Sequence, residues 1–354
     1  MPQIPRYLSP TNGFIPEASG QAIAYVRDKK RFKINQYVQL VNAPKPIVLY
    51  ATLDPDQPAR VPNADYFKWP PGNLAPSSWN NTGNFIWTQV EVERYAVPYT
   101  VDYQAVEAAD GWNPKAFFSA SSVQQAMTIQ TQRLVALVTT VANWSTFTGD
   151  ANTLNGGFGT WNLASDVPGS PNFLAIKKTL LQVKQNIALN TNGMVGLDDL
   201  ILVIGPDLAA SMAETSEIHH YLARQERSLA VLKGEDPDVT TEYGLPNPLY
   251  GFKVVVEDGV QVTQLPDSSG TPATTNRSFI FPSTMAVVCS RPGGLNGSYG
   301  SPSYSTLQRY FYKYDMSVET FDRPRHKLFE TRVVDQFKEV LAAARSGYLV
   351  TNCQ

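Results

Sequence analysis

Only 3 histidines occur in the 354 residues, so chemistry that needs an imidazole must run through His219, His220 or His326. His219 and His220 are adjacent, and on a helix their side chains diverge by about 100°. They cannot chelate one ion together, because metal ligands on a helix sit a full turn apart on one face. His326 stands among Arg323, Arg325 and Lys327 and is either solvated or phosphate-facing. No Gly-x-Ser-x-Gly elbow accompanies any of the three, so a hydrolase triad has no support. The 2 cysteines, Cys289 and Cys353, are far apart and carry no partner motif, which argues against a disulfide framework and a zinc site. Gly156-Gly157-Phe158-Gly159 has the glycine content of a phosphate loop. It follows no clear strand, opens no helix and lacks a Gly-Lys-Ser/Thr ending, so it reads as a flexible loop. Glu91/Glu93 and Asp198/Asp199 are paired carboxylates of a kind common on exposed strands and loops, and they do not specify a glycosidase. The sequence therefore nominates no catalytic, cofactor-binding or metal-binding residue, no cofactor, and no enzyme.

The bulk numbers narrow the field further. Hydrophobic residues make up 43% of the chain and charged residues only 17%, against about a quarter charged in ordinary globular domains. Such a surface is expected to be covered largely by neighbours. Net charge is −2 and the pI is near 6.0, so no global basic field would hold a nucleic acid by neutralising phosphates. If the protein encloses nucleic acid, it does so by geometry. Met1 to Ala22 is broken by Pro2, Pro5, Pro10 and Pro16 and has no apolar core segment, unlike a signal peptide. Apolar runs such as Leu134–Val138 and Leu200–Ile204 are too short to cross a bilayer. The expectation is a soluble chain made in the cytoplasm.

The elements that would position any site fall into three stretches. Residues 1–50 read as an extended arm, with alternation in Arg31–Val41 and prolines at 44 and 46 as further helix breakers. No compact hydrophobic unit is visible there. From Asp54 to Val97 prolines at 55, 58, 62, 70, 71 and 76 interleave with Tyr66, Phe67, Trp69, Trp79, Phe85 and Trp87. The last part, Phe85 to Val97, alternates as a strand, with Ile86, Thr88, Val90 and Val92 on one face and Trp87, Gln89, Glu91 and Glu93 on the other. A proline-broken segment cannot build its own core, yet each of these rings would gain roughly 2–3 kcal/mol on burial. Either the segment folds back over its own domain, or the six aromatics are covered by another subunit, as exposed apolar patches usually are.

Beyond Asn113 the periodicity becomes helical. Val123, Met127, Leu134, Val138 and Val141 predict an amphipathic helix over Ser121–Ala142. A second helix is expected to open at Ser170–Pro171, with proline in its first turn, and to carry Phe173, Ile176, Leu180, Val183 and Ile187. Leu200–Ile204 reads as a strand buried on both faces. A helix follows Pro206, carrying Leu208, Met212, Ile218 and Leu222. Strands are expected at Lys253–Glu257, Phe279–Phe281, Ala286–Cys289, Leu307–Tyr314, Met316–Phe321, Thr331–Val340 and Gly347–Thr351. The fold class is α+β, with no internal repeat.

This order of elements resembles the major capsid proteins of tailed bacteriophages, which have the Hong Kong 97-type fold. The residues that carry the resemblance begin with the arm, the aromatic excursion and Tyr95–Tyr103 leading into the Gln/Thr-rich helix. Gly159-Thr160-Trp161-Asn162, Ser165-Asp166 and the helix at Asn172–Leu189 come next. Leu200–Gly205, Pro206–Met212 and Ser216-Glu217-Ile218 continue the series, followed by Leu249–Val254, Phe279–Val288, Tyr304–Leu307 and Ala344–Asn352. The resemblance implies an N-terminal arm (1–50), an E-loop (51–98), a peripheral domain with a spine helix (99–164 and 302–354) and an axial domain (165–301). It implies a non-enzymatic subunit that assembles into pentamers and hexamers of an icosahedral shell around phage DNA. Its location would be the virion capsid, after synthesis in the host cytoplasm.

The implied partners are many copies of itself, with scaffolding, portal and decoration proteins, enclosed DNA bound without sequence specificity, and no membrane. Tyr66, Phe67, Trp69, Trp79, Phe85 and Trp87 would then be intersubunit contacts. The basic run Arg27–Lys33 is either a solvated face or an arm segment against DNA or a neighbour. The N-terminus lacks the long charged helix that serves some members as a built-in scaffold. Lys68 matches the donor of the family's lysine–asparagine crosslink by location alone, with no matching glutamate, so no crosslink is expected. Two other readings stay open: an encapsulin-like nanocompartment shell, and a carbohydrate-binding or hydrolytic module in which the aromatics stack on sugars.

Overall fold

A computed structural model describes residues 33–53, 85–108, 114–223, 241–262, 277–291, 296–297, 304–313 and 316–354. The chain enters through a short helix α1 (Ile34–Tyr37) and strand β1 (Gln39–Asn42), then β2 (Ile47–Leu53), β3 (Phe85–Glu91) and β4 (Glu93–Asp102). Helices α2 (Tyr103–Glu107) and α3 (Pro114–Thr139) follow, then β5 (Thr148–Asp150) and α4 (Ala151–Leu154). The middle of the chain holds α5 (Ala175–Asn190), β6 (Leu200–Ile204), α6 (Pro206–Ala213), α7 (Ser216–Ala223), β7 (Lys253–Val256), β8 (Val260–Val262), β9 (Arg277–Phe279) and β10 (Ala286–Ser290). Strands β11 (Asn296–Gly297), β12 (Leu307–Phe311), β13 (Ser317–Arg323), β14 (Leu328–Leu341) and β15 (Tyr348–Thr351) complete it.

Two sheets dominate. One runs β11-β1-β12-β14-β13, with β4 along the other edge of β14. The 14 residues of β14 allow this sharing: β13 pairs with its first half, β12 with its second, and β4 lies opposite Leu328 to Phe337. The other sheet runs β5-β15-β10-β6-β7. Its strand β6 is buried at every position, because successive side chains feed two different cores. Leu200, Leu202 and Ile204 pack with Ile176, Leu180, Val183 and Ile187 of α5 and with Leu208 and Met212 of α6. Ile201 and Val203 face the opposite way, into a core shared with Val123, Met127, Leu134 and Val138 of α3 and with Val318 and Val333 of the first sheet. Helix α3 is therefore the common wall of both sheets.

The long helix begins earlier than its apolar period predicts, with Pro114 at its first position, where a missing N–H costs nothing. It ends at Thr139 because side chains take its last carbonyls. The Trp144 indole N–H donates to the Val138 carbonyl at 2.7 Å, and the Asn143 amide donates to Leu137 at 2.8 Å. Helix α5 also departs from expectation: it opens at Ala175, after Leu174 in the left-handed region (φ 51°). Ser170 and Pro171 form a preceding turn. Its free amides are met from a distance, since the buried Glu217 carboxylate accepts from the N–H groups of Ile176 (3.1 Å) and Lys177 (2.9 Å) and from the Tyr250 hydroxyl (2.8 Å). The helix after Pro206 is two helices, broken where the Thr215 hydroxyl turns back to the Met212 carbonyl at 2.7 Å.

Within residues 33–50 the structure finds core where the sequence shows no compact unit. Ile34, Tyr37 and Val38 are fully buried in the core beneath α3. The Tyr37 hydroxyl donates to Glu257 at 2.8 Å, Arg291 donates to the Asn35 carbonyl at 2.6 Å, and Lys33 pairs with Glu242 at 3.2 Å.

Candidate functional site

The candidate surface is the antiparallel ribbon β2–β3, which stands apart from both sheets. Of the six aromatics singled out in the sequence, Tyr66, Phe67, Trp69 and Trp79 lie outside the described residues, as does Lys68. Phe85 forms the outermost pair of the ribbon, opposite Leu53, and Trp87 is 60% exposed. The strand alternation read from Phe85 onward holds in the register. Val48 lies opposite Val90 and Tyr50 opposite Thr88, while Ile47 faces Glu91, Leu49 faces Gln89 and Ala51 faces Trp87. Directly opposed residues share a face, so the first group makes the inner side and the second the outer.

The inner side is seated. Val48 is completely buried and, with Tyr50 and Val90, packs on Val41, Val92, Tyr310 and Val340. The Tyr50 and Tyr310 rings stack at 5.9 Å. The outer side presents Ile47 and Leu49, each about half exposed at 51% and 49%, beside Trp87. The sequence reading missed Ile47 and Leu49, because in the consecutive apolar run Ile47-Val48-Leu49-Tyr50 nothing marks which alternate faces the core. Only the cross-strand partners Gln89 and Glu91 hint that odd positions point outward.

At Val92 the strand changes sheets. Its N–H donates to the Pro46 carbonyl at 2.8 Å, closing the ribbon, and one residue later β4 begins to pair with β14. Glu93 fixes this junction by accepting hydrogen bonds from Lys338 and the Tyr95 hydroxyl, and from Arg133 of α3 at 3.0 Å. The Lys338 hydrogen bond, followed by that of Tyr95, pulls the Glu93 carboxyl down to about 2. The Arg133 guanidinium also lies 4.4 Å from the Tyr95 ring centre. The ribbon's base is thus rigidly set.

The chemistry-bearing residues do not come together. His219 and His220 are exposed, and His220 pairs with Asp166 at 2.9 Å. His326 is exposed on the β13–β14 turn. Among the described residues no group of three metal-ligating side chains forms. Cys289 and Cys353 are buried and unbridged, their thiols pushed up by burial. The glycine-rich loop is pinned: Asn152 and Asn155 accept from the N–H groups of Gly159 (2.9 Å) and Phe158 (2.7 Å). A side chain at Gly159 would collide with Asn172. Glu91 is exposed on the ribbon and Asp198 and Asp199 on a surface turn. No helix among the described residues is long and apolar enough to cross a membrane.

No protein-family model and no curated protein sequence matches the chain. Solved structures do. A phage-related protein from Bordetella bronchiseptica aligns over 97% of this chain and 98% of its own, with a TM-score of 0.64 at 13% identity. The virus-like particle from Pyrococcus furiosus aligns over 94% and 97%, with a TM-score of 0.50 at 6% identity. A capsid chain of cyanophage P-SCSP1u aligns over 89% and 86%, at 7% identity and a TM-score of 0.49. At such identities the likeness speaks of fold, and over nearly the full length the fold is the α+β, Hong Kong 97-like capsid fold expected from the sequence.

Proposed function

We propose that this chain is a major capsid subunit of a tailed bacteriophage, a non-enzymatic protein whose copies assemble through pentamers and hexamers into an icosahedral shell around DNA. The observation that carries this reading is the β2–β3 ribbon, with one face seated and Ile47, Leu49 and Trp87 turned outward. Covering those three half-exposed side chains would contribute about 1–2 kcal/mol each. In this reading residues 1–50 are the N-terminal arm, 51–98 the E-loop that overlaps the neighbouring subunit, 99–164 and 302–354 the peripheral domain with α3 as its spine, and 165–301 the axial domain. The six aromatics from Tyr66 to Trp87 belong to the overlapping loop. Scaffolding, portal and decoration proteins are the remaining partners, and the virion capsid is the location.

Negative-stain microscopy and sedimentation of the purified chain test the reading. Closed particles, alone or with a co-expressed scaffold, are expected. A monomer at high concentration in every salt, with no partner rescuing assembly, would sink it. The contents of the particles discriminate further: DNA fits a virion shell, whereas a packaged protein would make the chain a nanocompartment subunit.

A further inference from the structure

Two carboxyl groups lie buried in the body, one from each sheet: Glu339 on β14 and Glu257 just after β7. Burial raises both to about 7. Their surroundings differ in what would receive a charge. Glu339 lies opposite Arg309 in the register of β12 and β14, and its Oε2 is 3.8 Å from Nε of Arg133 on α3. The neighbouring acids of that cluster are already paired, Asp335 with Arg309 at 3.3 Å and Glu93 with Arg133 at 3.0 Å. An ionised Glu339 joins a network whose cations are in place.

Glu257 is placed otherwise. It accepts from the Tyr37 hydroxyl at 2.8 Å and from the N–H of Gly259. Helix α3 and the chain after β9 bring Thr131 and Ile280 against Gly259. Asp258 adds a second negative charge, and the cation that acts on Glu257, Lys33, is paired with Glu242 at 3.2 Å. Burial, then Glu257, Cys289 and Glu339, hold the Tyr37 hydroxyl well above its usual value, so it stays a donor. Tyr37 is carried by the four residues of α1, and a helix that short has almost no stability of its own. It is kept in place by the burial of Ile34, Tyr37 and Val38. A proton lost from Glu257 leaves an anion in an apolar interior beside another carboxylate. Moving α1 aside brings water to that anion and leaves β6 and α5 packed.

We propose that α1 is a proton-locked latch, closed over Glu257 while that carboxyl is protonated and opening by itself, ahead of the two cores, when the proton is lost. The latch goes beyond the shell reading and does not depend on it. The closed form holds the proton more tightly than the open one. Opening is therefore insensitive to pH below about 4.5, grows as pH rises to about 7, and levels off above. Between pH 5 and pH 8 the opening constant should rise roughly fiftyfold.

Native-state hydrogen exchange of the full-length, unassembled chain tests it, read as protection factors so that the intrinsic pH dependence of exchange drops out. The reporters are the amides of Gln36 and Val38, bonded to the carbonyls of Lys33 and Ile34, and the amides of α5 are the reference. Gln36 and Val38 should be less protected than α5 and should lose protection roughly fiftyfold from pH 5 to pH 8. Their exchange should respond little to dilute denaturant, because a local opening exposes little surface. Glu257→Gln should remove most of the pH dependence at these two amides, and Glu339→Gln should leave it in place. Protection and denaturant sensitivity equal to those of α5 would overturn the latch, since α1 would then open only when the whole chain unfolds. Protection that stays level from pH 5 to pH 8 would overturn it as well. Both of these outcomes are read on the wild type, so the test stands if a variant fails to fold. A pH dependence that survives in Glu257→Gln, or vanishes in Glu339→Gln, would assign the proton to another group and sink the proposal.

Discussion

On one side of Val92 the chain runs as β3 in a two-stranded ribbon; on the other it runs as β4, paired with β14 over 10 residues. The two halves share one backbone direction, but the alternation shifts at Val92. Even positions such as Val90 face inward in β3 and odd ones such as Val97 in β4, and their outward faces differ. β4 turns Arg94, Ala96, Pro98, Thr100 and Asp102 to solvent and keeps Val97 and Val101 buried, Val97 in the core beneath α3. β3, with its partner β2, turns Trp87, Leu49 and Ile47 to solvent. Polar outside and apolar inside is what an edge strand of a finished domain needs. On the proposed shell reading, the apolar outer face of the ribbon finishes its packing against a neighbouring copy. The isolated chain and the assembled chain would then be stabilised by different residues, and substitutions should separate them.

The largest loss of monomer stability is expected in the body, at the polar cluster between α3 and the first sheet. Arg309 and Asp335 are both almost fully buried, 3.3 Å apart, with Gln130 of α3 donating to the same carboxylate. The pair sits over Phe337, whose ring centre lies 4.9 Å from the guanidinium. Asp335→Ala strands a cation in a low-dielectric interior and should cost about 3–5 kcal/mol. Thermal unfolding of the unassembled chain measures it. A loss below about 1 kcal/mol would break the contrast, showing that the body does not rest on this pair.

A smaller, pH-dependent effect is expected where the first described residues enter the core. Burial raises the Glu257 carboxyl from 4.5 to about 7, partly offset by the Tyr37 hydrogen bond. A carboxyl raised in the folded state costs nothing below its unfolded value near 4.5. Its burial penalty grows as pH rises and is complete above about 7. Glu257→Gln keeps an acceptor for Tyr37 and removes the penalty, so it should stabilise the chain by about 1–3 kcal/mol at pH 8 and hardly at all at pH 4. Denaturant midpoints at the two pH values check the sign.

How much of this was legible in advance follows from periodicity. β6 was readable to its exact ends because a fully apolar run between Asp199 and Gly205 has little alternative. The long helix was readable by its stripe, but its start was not, since Pro114 to Ala120 adds little to the apolar face. The start of α5 is not legible locally, because its cap is Glu217, 41 residues away in sequence, and no local pattern encodes a cap delivered by another helix. The burial of Ile34 and Tyr37 depends on Glu257 and Arg291, more distant still. On the surface, Trp87 was legible as a ring in a proline-rich stretch, whereas Ile47 and Leu49 became candidates only once the register with Gln89 and Glu91 was known.

The smallest effect on the fold should come from the residues to which the shell reading gives the greatest consequence for assembly. Leu49→Ser and Trp87→Ser both lie on the outer face of the ribbon, where about half of each side chain already meets water. Each should change the unfolding free energy of the unassembled chain by no more than about 0.5–1 kcal/mol. If the ribbon meets neighbouring copies as proposed, the same changes remove apolar area from each of those contacts. A loss of about 1–2 kcal/mol per contact, repeated around a closed shell, is enough to abolish particles at ordinary concentrations. Val48→Ser is the matched control, because its side chain is wholly buried on the inner face. It should unseat the ribbon and lower stability by about 2–4 kcal/mol before assembly is in question. If Leu49→Ser and Trp87→Ser instead destabilise the lone chain as much as Val48→Ser does, the outer face is being used at home and is not held for a neighbour.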